Sequence, residues 1–111
     1  MKVIEIQDAL NLKVLGGEEG LQKDILGGYT SDLLSDVMGH AEQGYIWITL
    51  QTHKNVMAVA SLKELAAVVL IKNNVPDEDM LEQANEEGIP VLVTNLSAFD
   101  ISGKLFNLLT K

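Results

Sequence analysis

The sequence predicts an α/β domain with three layers, in which a mainly parallel central sheet is flanked by helices. Segments typical of strands and helices alternate from residue 45 to residue 109, as in a parallel sheet joined by crossover helices. Two of the strand segments, "AAVVLIKN" and "IPVLVTN", are short and continuously apolar, which is expected of strands covered on both faces. No pattern in the sequence determines the order of the strands.

The first third of the chain is predicted from short apolar patterns and glycines. Apolar residues spaced as on one face of a helix predict a short helix over Ile4–Asn11. A short strand is expected over Lys13–Leu15 and a turn over Gly16–Gly20. Asp24–Tyr29 fits a further strand, which leads into the Gly27–Gly28 turn.

The stretch "GGYTSDLLSDVMGH" resembles a loop that opens a short helix. Ser31 or Asp32 would be its N-cap and Gly39 would end it. Its predicted apolar face consists of Leu33, Leu34, Val37 and Met38. The β-branched and aromatic run Gln43–Leu50 that follows predicts a central strand.

Three further helices are predicted in the second half. Val56–Leu62, capped by Thr52 or Asn55, is apolar almost all round, so we expect it to be buried or to lie in a dimer interface; the same letters also fit a strand. The next helix begins at Pro76 and Asp77, ends at Gly88, and buries Met80, Leu81 and Ala84. Ser97 caps the last helix, with Asp100 at the capping-box position and Ile101, Leu105, Leu108 and Leu109 as its apolar stripe.

Composition narrows the class of protein. The length of 111 residues predicts one domain spanning residues 1–111, and 47% hydrophobic residues provide a core. The net charge of −8 and the absence of arginine argue against nucleic-acid binding. There is no cysteine, no signal-peptide pattern and no apolar run long enough to span a membrane, so we expect a cytoplasmic protein with no membrane partner.

No motif in the sequence indicates a catalytic site, and no cofactor or metal is expected. The glycine-rich segments do not end in the Gly-Lys-Ser/Thr of a phosphate-binding loop, and no dinucleotide fingerprint follows a strand. Asp32 and Asp36 are spaced by one helical turn, but such pairs are more often solvated than catalytic. We interpret His40 as a residue at a helix end, where a cation suits the helix dipole.

Polar residues after the predicted strands mark a candidate ligand site. In open α/β sheets, ligands settle beyond the carboxyl ends of the strands, and these ends are followed by short polar segments. The alternative is that the same residues only cap helices, and one residue can do both. The predicted ligand-binding residues are Thr30, Ser31, Asp32, Gln51, Thr52, His53, Asn55, Thr94 and Ser97.

Four stretches together resemble the DRTGG domain family: "GGYTSDLLSDVM", "WITLQTHKNVMAVASL", "PDEDMLEQANEEGIPVLVT" and "LSAFDISGKL". The resemblance extends from Leu15 to Phe106, although the five letters of the family's name are absent and "THKN" lies near their place. It implies a fold like the N-terminal domain of HPr kinase/phosphorylase, which has no catalytic machinery. It also implies a regulatory role, as in some CBS-containing pyrophosphatases, and a tendency to dimerise. Trp47 and the helix Val56–Leu62 are the predicted interface.

Three functions remain open from the sequence. The first is a non-catalytic regulatory domain that forms a homodimer and binds a small anionic metabolite or a nucleotide. The second is an adaptor without a ligand, which docks on a partner enzyme through its acidic surface. The third is an enzyme such as a kinase or phosphatase, which the missing phosphate-binding loop disfavours.

Overall fold

The computed structural model describes residues 1–111, which form five strands and five α-helices. In chain order they are α1 (Val3–Ala9), β1 (Lys13–Gly16), β2 (Gly27–Thr30), α2 (Leu34–His40), β3 (Tyr45–Thr49), α3 (Asn55–Leu62), β4 (Ala67–Leu70), α4 (Glu78–Glu87), β5 (Val91–Val93) and α5 (Ala98–Leu109). The predicted α/β class, with a mainly parallel sheet flanked by helices, is confirmed. No helix combines the length and apolarity needed to cross a bilayer.

The five strands form one sheet in the order β1-β5-β4-β3-β2. Strands β2, β3, β4 and β5 run parallel, whereas β1 pairs antiparallel with β5 and is irregular between Val14 and Gly16. Strand β3 lies inside the sheet, so the prediction of a central strand there is confirmed. Strands β1 and β2 form the two edges.

Alternate residues of each strand face opposite sides of the sheet, and each side has its own hydrophobic core. The side that we call the three-helix face packs sheet residues such as Trp47, Val68 and Val91 against α2, α3 and α4. The opposite side, the two-helix face, packs residues such as Ile48 and Leu92 against α1 and α5. The domain therefore has three layers, as the sequence predicts.

The ends of α4 and α5 agree with the sequence. Asp77 is the extended residue before α4, and Gly88 ends that helix with a φ of +65°, a conformation that glycine adopts without strain. The Ser97 hydroxyl accepts a hydrogen bond from the Asp100 amide at the start of α5. Ile101 and Leu105 are fully covered on its inner side.

The predicted limits of α2 are wrong at both ends. Leu33, not Ser31 or Asp32, is the residue before the helix, and the helix continues past Gly39 to His40. A glycine weakens a helix by only about 1 kcal/mol, and the His40 ring closes the last turn with Nδ1 3.0 Å from the Asp36 carbonyl. Of the predicted apolar face only Val37 is buried, because α2 lies over the edge of the sheet.

The predicted interface residues lie mostly inside the chain. Trp47 has no exposed surface and donates from Nε1 to the Ser31 carbonyl at 2.8 Å, so its assignment to an interface is wrong. The helix predicted over Val56–Leu62 is confirmed and the strand alternative is excluded. Its apolar residues pack into the three-helix face, which leaves Ala58 and the 72%-exposed Leu62 outside.

The N-terminal predictions are close to the structure. The predicted helix and the short strand after it correspond to α1 and β1. The predicted turn contains a 3-10 helix over Glu18–Gly20. The strand expected over Asp24–Tyr29 is limited to β2, and Asp24 makes only an isolated bridge with Lys2. The turn predicted at Gly27–Gly28 is wrong, because both glycines pair with β3 as the first residues of β2.

Candidate functional site

The loops that follow the four parallel strands meet along one edge of the sheet, which we call the carboxyl edge. It comprises residues 31–33, 50–54, 71–77 and 94–97. Thr30 and Asn55 adjoin it, as the last residue of β2 and the first residue of α3. All nine predicted ligand-binding residues therefore lie on or next to this edge. The contacts of their side chains differ widely.

Asp32 connects the loops after β2 and β3. Its carboxylate oxygen Oδ1 accepts hydrogen bonds from the Thr49 hydroxyl at 2.9 Å and from the Leu50 amide at 2.8 Å. Its carbonyl accepts from the Gln51 side chain at 2.9 Å. These contacts of Asp32 and Gln51 therefore hold the two loops together.

The loops after β4 and β5 are joined through backbone groups. Lys72 and Asn73 both adopt the left-handed conformation, with φ values of 52° and 55°. Their amides donate to the carbonyls of Leu96 and Thr94. The Thr94 hydroxyl is buried and accepts from the Leu96 amide at 3.2 Å. Two consecutive left-handed residues other than glycine are costly, and this network of hydrogen bonds holds them in place.

The start of α3 offers backbone donors that the protein itself does not use. The His53 ring accepts a hydrogen bond at Nδ1 from the Asn55 amide, 3.1 Å away. Lys54 is the residue before the helix and no side chain caps it, so the predicted cap by Thr52 or Asn55 is wrong. The Thr52 carbonyl accepts the Asp77 amide. The amides of Thr52, His53 and Lys54 have no partner within the chain. Free amides at the positive end of a helix dipole favour an anion.

Two lysines that sequence reasoning did not select also lie on the carboxyl edge. Lys54 follows β3 and Lys72 follows the neighbouring strand β4, and both side chains are exposed. Their position after adjacent parallel strands is visible only when the strand order is known. The sequence "KNN" at Lys72–Asn74 is only a weak indication of the turn at this place, since asparagine tolerates the left-handed conformation found there.

A second polar cluster lies beside this edge, between β2 and α2. The Tyr29 hydroxyl is 3.0 and 2.9 Å from the two carboxylate oxygens of Asp36, and the His40 ring is 3.1 Å from Oδ1. Hydrogen bonds from Ser31 and then Tyr29 hold the pKa of Asp36 below its usual range. Loss of solvation, followed by the Asp36 contact, raises the pKa of Tyr29. The expected position of His40 at a helix end is confirmed.

Two large grooves lie away from most of these residues. One, of about 490 Å³, opens at the opposite edge of the sheet among Lys23, Glu64 and Glu87. Burial lowers the pKa of Lys23 there, although the Glu87 charge opposes the shift. The other, of about 520 Å³, runs between β2 and α5. Of the nine predicted residues only Thr30 lines either groove, and its hydroxyl is 2.7 Å from that of Ser102.

The side chains of the chain form no metal centre. No group of three or more histidine, acidic or cysteine side chains is placed to hold a metal ion. The Ser97 hydroxyl is engaged in capping α5, and His53 Nδ1 accepts a hydrogen bond from the Asn55 amide. The carboxyl edge therefore offers free amides and two lysine cations to an anion.

Comparison with known families identifies the family of the chain. The model of the family described as "HPr Serine kinase N terminus" matches residues 35–109, which is most of the chain. This segment contains α2 to α5 and three of the five strands. No curated protein matches the sequence significantly.

Comparison with solved structures finds a similar fold in the regulatory region of an enzyme. The fold is similar to the CBS and DRTGG domains of the regulatory region of a Clostridium perfringens pyrophosphatase, in a crystal structure with its activator diadenosine tetraphosphate. The TM-score is 0.69 at 16% sequence identity, over 92% of this chain. The chain spans less than half of that structure, 44% of its length.

Proposed function

The chain belongs to the HPr serine kinase N-terminus family, and we propose that residues 1–111 act as one non-catalytic regulatory domain that forms a homodimer and binds a small anionic metabolite or a nucleotide. A regulatory role suits the DRTGG-type fold, because the similar pyrophosphatase region is regulatory and its crystal structure contains a nucleotide activator. The ligand site that we propose is the carboxyl edge.

One observation supports this site most strongly: the amides of Thr52, His53 and Lys54 point to no acceptor in the chain. They lie at the start of α3, where the helix dipole adds a partial positive charge. Lys54 and Lys72 bring two of the eight lysines of an acidic chain to the same edge. An anionic group placed there would accept hydrogen bonds from the free amides without displacing any existing hydrogen bond.

The remaining predicted residues would shape the site. Ser31, Asp32 and Gln51 fix the loop after β2 against the loop after β3. Thr94 and Ser97 fix the loop after β5, and Asn55 begins the helix whose amides would face the anion. In this proposal ligand binding regulates by favouring one dimeric or partner-bound state over another, which requires unequal affinity for the two states.

A thermal-shift experiment tests this site. Diadenosine tetraphosphate, ATP and pyrophosphate serve as probes, with two nucleosides, one and none attached to the phosphate chain. We expect at least one of them to raise the melting temperature of the unmodified protein, since a ligand that binds only the folded state stabilises it. The Lys54→Ala/Lys72→Ala variant should lose most of that shift.

The matched control removes two lysines elsewhere. Lys63 lies at the far end of α3 and Lys111 is the last residue, so Lys63→Ala/Lys111→Ala changes the net charge equally. This control should keep the ligand-induced shift. An equal loss in both variants would mean that the probe responds only to overall charge, and the proposed site would be wrong.

The second candidate is an adaptor that docks on a partner enzyme through an acidic surface. The acidic side chains of helix α4 favour it. Five acidic side chains of that helix are exposed: Glu78, Asp79, Glu82, Glu86 and Glu87. Such a surface would suit a partner enzyme with a basic patch. Capture of that enzyme by the unmodified chain, lost when Glu82 and Glu86 become lysine and accompanied by no small-molecule shift, would favour the adaptor.

A further inference from the structure

We infer that the uncharged surface formed by β2 and α5 is where two copies of this chain meet, about a two-fold axis beside Ser102 and Gly103. This inference rests on the dimerisation in the proposed function and names the surface that forms the dimer. It replaces Trp47 and α3, which the structure buries.

The groove between β2 and α5 exists because side chains are missing on both of its walls. Gly28 of β2 and Gly103 of α5 both line it, and a Cβ at Gly103 would meet no atom within 4 Å. Ile48 and Leu105 add apolar surface to the groove. The volume of about 520 Å³ is enough to accept large apolar side chains.

Two exposed phenylalanines stand beside this groove. Phe99 is 87% exposed and Phe106 is 69% exposed, among the most exposed large hydrophobic residues of the chain. They are seven residues apart on α5, so they lie on the same side of the helix, with Gly103 between them. Each copy thus presents protruding aromatic rings and a recess of matching character. A surface that is complementary to itself is what a two-fold interface requires.

The charges beside the groove complement those of a second copy, which supports that copy as the occupant. The net charge is −8, so most surfaces of two copies repel one another, but no charged residue lines this groove. The neighbouring charges on the outer side of α5 are Asp100 and Lys104. Antiparallel packing of two α5 helices about Ser102 would bring Asp100 of one copy near Lys104 of the other.

Strand β2 gives a further reason for this face to be covered. It is the end strand of the sheet, and only one of its edges pairs, with β3. An open strand edge next to exposed aromatic rings is an aggregation hazard that proteins usually cover. A second copy placed on the β2–α5 surface would cover the rings and shield this edge.

Cross-linking tests the position of the axis directly, because the chain contains no cysteine. Gly103→Cys places a thiol between the two phenylalanines in open space, and Leu62→Cys places one on the equally solvent-facing side of α3. With diamide as the oxidant, the Gly103→Cys protein should form a disulfide-linked dimer rapidly at low micromolar concentration. The Leu62→Cys protein should not.

A second pair of variants tests the same surface without cross-linking. Phe99→Glu should raise the dimer dissociation constant by about 30-fold or more, as expected for loss of a central aromatic anchor. Leu62→Glu, which adds the same charge to another exposed apolar position, should leave it unchanged. Sedimentation equilibrium compares each with the 12.1 kDa mass of one chain.

The outcomes separate this inference from the proposed function. Rapid cross-linking of Leu62→Cys but not Gly103→Cys, or a dimer that survives Phe99→Glu, would overturn the assignment of the surface and leave dimerisation intact. A monomer at every concentration tested would overturn both the surface and the proposed dimer. Ligand binding at the carboxyl edge is tested separately, by the thermal-shift experiment.

Discussion

The two faces of the sheet differ in how completely they are covered. On the three-helix face, α2, α3 and α4 are the crossover helices between successive parallel strands. Each connection between two strands therefore places a helix over this face. On the two-helix face only α1 and α5, from the two ends of the chain, are available. The groove beside β2 remains there. The connectivity of the chain therefore covers one face of the sheet and leaves a groove on the other.

The largest expected contrast is between a buried and an exposed aromatic residue. Trp47→Ala on the three-helix face should destabilise the chain by about 3–5 kcal/mol, since it leaves a cavity and removes the hydrogen bond to Ser31. Phe106→Ala beside the groove should change the stability of the monomer by less than about 0.5 kcal/mol. Urea unfolding of dilute protein measures both. Similar losses would mean that the two faces are equally closed.

A smaller effect is expected where the carboxyl edge is held together. Asp32→Ala leaves the Thr49 hydroxyl and the Leu50 amide without their acceptor, which should cost about 1–3 kcal/mol of unfolding free energy. Asp8→Ala, on the exposed side of α1, serves as the control and should cost almost nothing. Chemical denaturation measures the unfolding free energy of both variants. An Asp32→Ala variant as stable as the unmodified chain would contradict the role given to this residue.

The helix that forms one wall of the groove depends on its cap. Ser97→Ala removes the acceptor of the Asp100 amide and should destabilise the chain by about 1 kcal/mol. Amide hydrogen exchange in the first turn of α5 should accelerate, while exchange in α3 should not. Ser35→Ala on α2, where the side chain makes no hydrogen bond, is the matched control. Equal effects of the two variants would exclude a specific capping contribution.

Much of this architecture could be predicted from the sequence, because the local signals are strong. Asp77 and Gly88 bound α4, and Ser97 begins α5, as their residue types indicate. The strand order, the antiparallel β1 and the burial of Trp47 depend on pairing between distant segments, which no local pattern records. Gly39 was misleading because the His40 contact with Asp36 continues the helix beyond it.

The predicted site shows the same division. The rule that ligands settle at the carboxyl ends of strands selected nine residues that lie on or next to one edge of the sheet. It could not predict that Asp32 and Gln51 form hydrogen bonds between the loop after β2 and the loop after β3. It also missed Lys54 and Lys72, whose position on that edge depends on β3 and β4 being neighbours.

The smallest expected effect is pH dependence at the β2 edge. The folded-state pKa of Asp36 lies below its unfolded value, through the hydrogen bonds from Ser31 and Tyr29. Ionised Asp36 therefore stabilises the fold above pH about 4, and this contribution disappears as the pH falls through the lower folded-state pKa. Unfolding free energy measured from pH 5 to pH 2 should fall more steeply for the unmodified chain than for Asp36→Asn. Identical slopes would exclude a coupled Asp36.

The most direct test of the proposed regulatory site is to observe the free amides themselves. In a nitrogen-15 NMR titration with diadenosine tetraphosphate or pyrophosphate, we expect the largest shifts at the amides of Thr52, His53 and Lys54, with smaller shifts around Lys72. Lys54→Ala/Lys72→Ala should weaken the response. Shifts confined to the groove at Lys23 and Glu87, or no shift at millimolar ligand with any probe, would contradict an anion site at the carboxyl edge.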